Sequence, residues 1–223
     1  MREVVLDTET TGLDPSSGHR IVEIGCIELV NQIATGRNYQ TYVNPERDMP
    51  VGAFEVHGLS AEFLMEHPIF ADVAEKFLEF IGEAPLVIHN AEFDMRFVNA
   101  ELERLGRPAI PMSRTIDTVR MARTKFPGAQ ASLDALCRRF GIDNSARTKH
   151  GALLDAELLS EVYLELTGGR QPGLGLAQDQ RDVAGAAARV ARPARPYAPS
   201  AEELESHAAF VDTFIKDPIW RLP

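Results

Sequence analysis

The chain of 223 residues contains only two cysteines, Cys26 and Cys137. Each falls in an apolar stretch, which predicts two buried core thiols rather than a disulfide or a pair of metal ligands. Long apolar runs are missing as well: none approaches the roughly 18 residues that a membrane-crossing helix needs. The opening residues, Met1-Arg2-Glu3-Val4-Val5, lack the layout of a secretory signal, so the expected compartment is the reducing cytoplasm and no membrane partner is expected. Positive charge is the third shortage, with 23 Lys and Arg against 33 Asp and Glu and a net charge of −10. Such a chain is poorly suited to gripping duplex DNA through phosphate contacts alone. Apolar side chains are plentiful, at 44% of residues. They suffice for a sizeable core in one medium domain with extensions, or in two small domains.

Residues 3–7 read as a first strand, 21–30 (IVEIGCIELV) as a long second one and 38–43 (NYQTYV) as a third, together an antiparallel meander. The apolar period then lengthens, with Phe70, Val73, Phe77 and Ile81 at helical spacing after Pro68. PLVIHN (85–90) is a short buried strand, and AEFDMRFVNAELERLG (91–106) is a helix closed by Gly106 and Pro108. TIDTV (115–119) supplies a fifth strand. Leu133, Leu136, Cys137 and Phe140 mark a helix ended by Gly141, and Leu153, Ala156, Leu159, Val162, Tyr163 and Leu166 mark the last core helix. A meander followed by alternating helices and strands predicts an α/β fold, a mixed five-stranded sheet flanked by helices.

Three short stretches carry chemistry. In the first, Asp7 and Glu9 end a strand two positions apart and project from one face. Two like charges at that spacing repel and raise a carboxylate's pKa unless a cation intervenes, and hard divalent ions favour such oxygen ligands. A strand that turns polar before Gly12 and Asp14-Pro15 accounts for the pair equally well. In the second, HNAEFD, His89 and Asn90 finish a buried strand and Asp94 falls about one turn into the next helix. Strand ends and the helix starts that follow them are where sites collect in open α/β sheets, although a first-turn acid is also favoured by the helix dipole alone. Phe93 suits either a core ring or a base-stacking platform. In the third, KHGALLDAELL, His150 and Asp155 converge only if His150 lies in the loop before the helix, and Gly151 permits that bend.

Each stretch alone is unremarkable. In order, Asp7-x-Glu9-Thr10-x-Gly12, His89-Asn90-x-x-Phe93-Asp94 and His150-x-x-x-x-Asp155 resemble the three motifs of the DEDDh family of 3′→5′ exonucleases, which have a ribonuclease H-like fold. The resemblance spans roughly residues 3–167. It implies that Asp7, Glu9, Asp94 and Asp155 hold two divalent ions, Mg²⁺ or Mn²⁺, with His150 taking the proton from the attacking water. It further implies that Thr10 and Thr11 contact the terminal nucleotide, and that EVHGLS (55–60) is a nucleotide-binding loop in which Val56 and His57, with Phe93, wedge and stack the terminal base. The products would be nucleoside monophosphates from the 3′ end of single-stranded or frayed DNA.

Past Thr167 the composition changes. Residues 168–199 hold five Gly, four Pro and eight Ala, which predicts a flexible linker. Residues 200–223 form a last segment: Ser200 and Glu203 make a capping-box pattern, and Leu204, Ala208, Val211 and Ile215 form one apolar stripe. A helix of that length is marginal alone, so it either packs back on the core or docks on another protein, with Trp220 as an anchor. Gln171-x-x-Leu174-x-Leu176 resembles the short motif by which bacterial replication proteins bind the sliding clamp, though without the usual aromatic near its end. The arrangement is similar to family members that proofread for bacterial DNA polymerase III, in which the C-terminal segment binds the polymerase (alpha) subunit. The expected organisation is an exonuclease domain (1–167), a linker (168–199) and a polymerase-docking segment (200–223). A stand-alone exonuclease trimming RNA 3′ ends, or a catalytically silent adaptor between polymerase and clamp, are the alternatives.

Overall fold

Five strands form one mixed sheet in the order β3-β2-β1-β4-β5. They are β1 (Arg2–Thr10), β2 (Ile21–Val30), β3 (Ile33–Tyr42), β4 (Leu86–Ile88) and β5 (Thr115–Asp117). The meander β1-β2-β3 is antiparallel, while β4 and β5 run parallel to β1. The structure is a computed structural model that describes residues 1–145, 147, 149–169 and 198–215. The chain divides into two units, Met1–Gly175 and Leu176–Pro223.

In the first unit the strand periodicity splits the core in two. Val4, Leu6, Ile24, Cys26, Leu86 and Ile88 point to one face of the sheet. There they pack against helices α3 (Phe70–Ile81) and α4 (Ala91–Arg104) through Phe70, Phe77, Met95 and Phe97. Val5, Ile27, Leu29 and Val87 point to the other face, beneath α5 (Thr118–Lys125), α6 (Leu133–Phe140) and α7 (Ala152–Thr167). A sheet covered on both faces explains why β2 reads as an almost unbroken apolar run. The two cysteines are buried and unpaired, Cys26 in one layer and Cys137 in the other. Among the described residues no helix is long and apolar enough to cross a membrane.

Several boundaries differ from those predicted. β3 begins five residues early, at Ile33, because its exposed face carries no alternation to read. The hairpin to it turns through Asn31 and Gln32, both at positive φ (52° and 67°), as a two-residue turn matched to strand twist requires. TIDTV is a strand only to Asp117, whose carboxylate accepts the Val119 and Arg120 N–H groups and starts α5. PLVIHN pairs only over Leu86–Ile88: His89 lies beyond the strand, and Asn90, left-handed at φ 71°, reverses the chain into α4. EVHGLS is not a loop throughout, because α1 (Val51–His57) ends inside it and Gly58 closes that helix. A second short helix, α2 (Ala61–Met65), follows Ser60 as its cap.

In the second unit, α8 (Ala201–Phe214) starts with the expected capping box: Ser200 Oγ accepts the Glu203 N–H, and Glu203 Oε2 accepts the Ser200 N–H. Leu204, Ala208 and Val211 lie in this helix and Ile215 closes it. Trp220 and the predicted clamp-binding residues Gln171, Leu174 and Leu176 lie outside the described residues.

Candidate active site

β1 is the middle strand, and its odd-numbered residues face α7: Glu3 accepts the Tyr163 hydroxyl proton at 2.7 Å. Asp7 and Glu9 share that face. α7 reaches them because β2 carries no side chain at Gly25, the residue paired with Asp7. A Cβ at Gly25 would collide with the backbone of Ala152 and Leu153 at the start of α7. Glu23 Oε2 on the same strand accepts the Ala152 N–H at 3.1 Å and so satisfies a free donor of that helix end. The early turn of α7 then delivers Asp155, buried, to the two β1 acids. From the opposite layer, Asp94 in the first turn of α4 is buried and accepts both the N–H (3.0 Å) and the hydroxyl (2.7 Å) of Thr8. Its reach to β1 is thereby fixed.

These residues line one pocket of about 320 Å³ together with His89, Phe93, Ser132, Asp134, Arg147 and His150. Burial, reinforced by the charges of Asp94, Glu9 and Asp155, holds the Asp7 carboxyl well above the usual carboxylate range. Burial beside Asp155, Glu23 and Asp94 pushes Glu9 up to about 8. Burial raises Asp94 to about 7 against the downward pull of its bonds from Thr8. Four acids gathered in this way cannot all ionise without added positive charge. Glu9, His150 and Asp155 each offer a ligand atom within 4.8 Å of the others. An all-oxygen set with one imidazole at its edge suits hard divalent cations.

His150 stands where the third motif requires, in the loop just before α7, with its side chain about half exposed at 47%. Its N–H donates to Val56 O of α1 at 3.2 Å, tying this loop to the far wall of the site. His89, partly buried, also lines the pocket. Thr118 Oγ1 lies 3.2 Å from Ile88 O and 2.9 Å from His89 Nδ1, so the hydroxyl donates to the carbonyl and accepts from the ring.

A second pocket, about 620 Å³, adjoins the first and is lined by Thr10, Thr11, Val56, His57 and Phe93. The Thr10 hydroxyl donates to Gly12 O, and that of Thr11 is occupied by His19 Nδ1 and the Arg20 N–H. Both hydroxyls are thus engaged in the turn, as is the Thr11 N–H, which donates to Arg20 O at 2.9 Å. Buried His57 accepts the Leu59 N–H at Nδ1, so Nε2 carries a proton, and that nitrogen has no partner among the described residues. Phe93 packs on Phe97 at 5.1 Å and lines both pockets.

Sequence reasoning passed over three contributors. Gly25, a glycine inside a buried strand, was a readable sign of close backbone approach. Arg147 and Asp134 had no comparable sign. Arg147 Nε and Nη2 donate to Asp155 Oδ1 and Oδ2 at 2.5 and 2.6 Å, Nη1 donates to Asp134 Oδ1 at 2.9 Å, and Nη2 donates to His150 Nδ1 at 2.7 Å.

The architecture is that of the DEDDh nucleases: the nuclease domain of 3′hExo, a DEDDh family member, bound to rAMP, superposes with a TM-score of 0.65 at 18% identity over 74% of this chain and 91% of that one. The sequence profile of the exonuclease family (RNase T) matches residues 4–163. The DNA polymerase III subunit epsilon of Rickettsia felis is 50% identical over 224 residues, 97% of this chain and 98% of that protein. The subunit of the same name from Salmonella typhimurium is 45% identical over 238 residues, 99% of this chain and 97% of that one. The chain therefore belongs to the exonuclease family and, within it, to the DNA polymerase III epsilon subunits.

Proposed function

We propose that this exonuclease proofreads for the replicative DNA polymerase, removing nucleotides from DNA 3′ ends as monophosphates with two divalent ions, Mg²⁺ or Mn²⁺, at its acidic pocket. The observation that carries the proposal is the convergence of Asp7, Glu9, Asp94 and Asp155 from three distant segments into one pocket, with His150 at its rim. Asp7, Glu9 and Asp155 would hold one ion, and Asp7 with Asp94 the second. Bound there, the ions supply charge stabilisation to the attacking and departing oxygens of an in-line phosphoryl displacement.

The protein's own groups do the rest. The neighbouring pocket receives the terminal nucleotide between Phe93 and the α1 residues Val56 and His57, and His57 Nε2–H offers a donor without another partner. His150 is the base that takes the proton of the attacking water, a task suited to an imidazole near neutral pH. A mispaired end frays more cheaply than a paired one, which gives selectivity for errors.

The net charge of −10 also fits this function. Residues 1–167 hold 26 acidic and 16 basic side chains, so this domain binds DNA weakly through phosphates. Tethering supplies the substrate instead. The segment from Ser200 docks on the polymerase alpha subunit, Gln171, Leu174 and Leu176 contact the sliding clamp, and the linker raises the effective concentration of the 3′ end.

The test assays the purified chain on single-stranded DNA and RNA with Mg²⁺ or Mn²⁺. DNA yields monophosphates, and Asp7→Ala abolishes their release; release that survives in Asp7→Ala overturns the assignment. His150→Ala lowers kcat by roughly 10²–10⁴-fold, the range for a general base, while Mn²⁺ binding measured by calorimetry persists. A preference for RNA would favour the trimming alternative.

A further inference from the structure

We propose that Arg147 is a built-in counter-cation that neutralises the acidic pocket before metal arrives and hands Asp155 over to the metal. The inference rests on the metal-ion assignment just made. Arg147 is the one Arg or Lys among the described residues that line the acidic pocket, and its side chain is only 8% exposed. Its guanidinium engages both oxygens of Asp155 in a two-pronged fork, the strongest pairing that an arginine and a carboxylate make. Asp155 is thereby occupied by a monovalent cation at the oxygens that a divalent ion needs.

The same guanidinium also disables the base. An arginine only donates, so the 2.7 Å bond from Nη2 makes Nδ1 of His150 the acceptor and leaves the ring proton on Nε2. The imidazole in this arrangement has no free lone pair for the proton of water. One side chain therefore masks a metal ligand and the base together, and its departure frees both.

Asp134 provides the place to go. It lies in the first turn of α6, held by Asn144 Nδ2 at 2.9 Å, and already accepts Arg147 Nη1. Its side chain is 44% exposed, against 4% for Asp155. When a divalent ion takes Asp155, the guanidinium keeps its bond to Asp134, turns outward and stays beside the pocket. Arg147 is in this sense a positioning residue, acting through Asp155 and His150.

Two measurements on the full chain decide it. The Arg147 Nε–H resonance, assigned by its loss in Arg147→Lys, moves as Mg²⁺ is titrated into the wild-type protein without substrate. By calorimetry, Arg147→Gln binds Mn²⁺ roughly tenfold more tightly than wild type, the size expected when a charged hydrogen-bonded competitor is removed, and Arg147→Lys falls between. An Nε–H signal unmoved at saturating Mg²⁺ overturns the handover, as does unchanged or weaker Mn²⁺ binding in Arg147→Gln. The resonance alone decides if that variant does not fold. Mn²⁺ uptake with Arg147 unmoved removes this inference only, whereas a wild-type chain that binds no Mn²⁺ removes the metal-ion assignment beneath it.

Discussion

Replacing Gly25 with alanine tests whether backbone proximity, and not merely the presence of four acids, makes the site. The added Cβ would fall well inside 3.0 Å of Ala152 and Leu153 backbone atoms, closer than real Cβ atoms come. Those atoms belong to a helix start and cannot rotate away as a side chain would. Restoring ordinary contact parts β2 from α7 by about 1 Å. Overpacking of this kind costs about 1–3 kcal/mol, or a melting temperature roughly 2–10 °C lower for a domain of this size. The larger consequence is chemical. Asp155 sits one turn from the collision, and a displacement near 1 Å in a catalytic constellation costs about 100-fold in rate. Gly25→Ala is therefore expected to remain folded by circular dichroism while its kcat on single-stranded DNA falls about 100-fold. A variant that melts lower but turns over at the wild-type rate refutes the idea that this contact sets the position of Asp155.

The acids and the tail give three further predictions. Because burial raises the folded-state pKa of Glu9 to about 8 and of Asp94 to about 7, the stability gained from their protonation is complete below their ordinary values. It is lost as pH rises through 7 to 8. In chelator the melting temperature should fall between pH 6 and pH 9 by scanning calorimetry, and saturating Mg²⁺ should raise it most at the alkaline end; a flat profile in chelator refutes the burial of these charges. Truncation after Thr167 should leave nuclease turnover on short DNA intact and abolish co-purification with the polymerase alpha subunit, while alanine at Gln171, Leu174 and Leu176 should weaken clamp binding alone. A truncated chain that still co-purifies with the polymerase refutes docking through the C-terminal segment.

The four acids of the pocket were legible because they sit in short motifs whose order is specific: Asp7 and Glu9 on a strand, Asp94 one turn into α4, Asp155 in the early turns of α7. The meander was legible because β2 is apolar over most of its length. Short elements escaped. α1, α2 and α5 are five to eight residues long, and their apolar positions are too few to establish a period. Asn90 escaped because its αL conformation is imposed by the need to turn at once from β4 into α4. Arg147 escaped for a deeper reason: its partners, Asp155 and Asp134, come together only when α6 and α7 pack, and nothing local distinguishes it from a surface arginine.

The last helix of the first unit does two jobs at once: α7 fastens onto β1 and β2, through Tyr163 to Glu3 and through Ala152 to Glu23, and it brings Asp155. The first acids of the site are among the first residues made, yet the fourth arrives some 150 residues later. A nascent chain emerging N-terminus first holds Asp7, Glu9 and Asp94 long before it can use them. On the proposed mechanism, nuclease competence therefore waits until α7 has been made and packed. By the same reasoning, a chain cut short before α7 lacks Asp155 and is expected to leave any 3′ end it meets uncut.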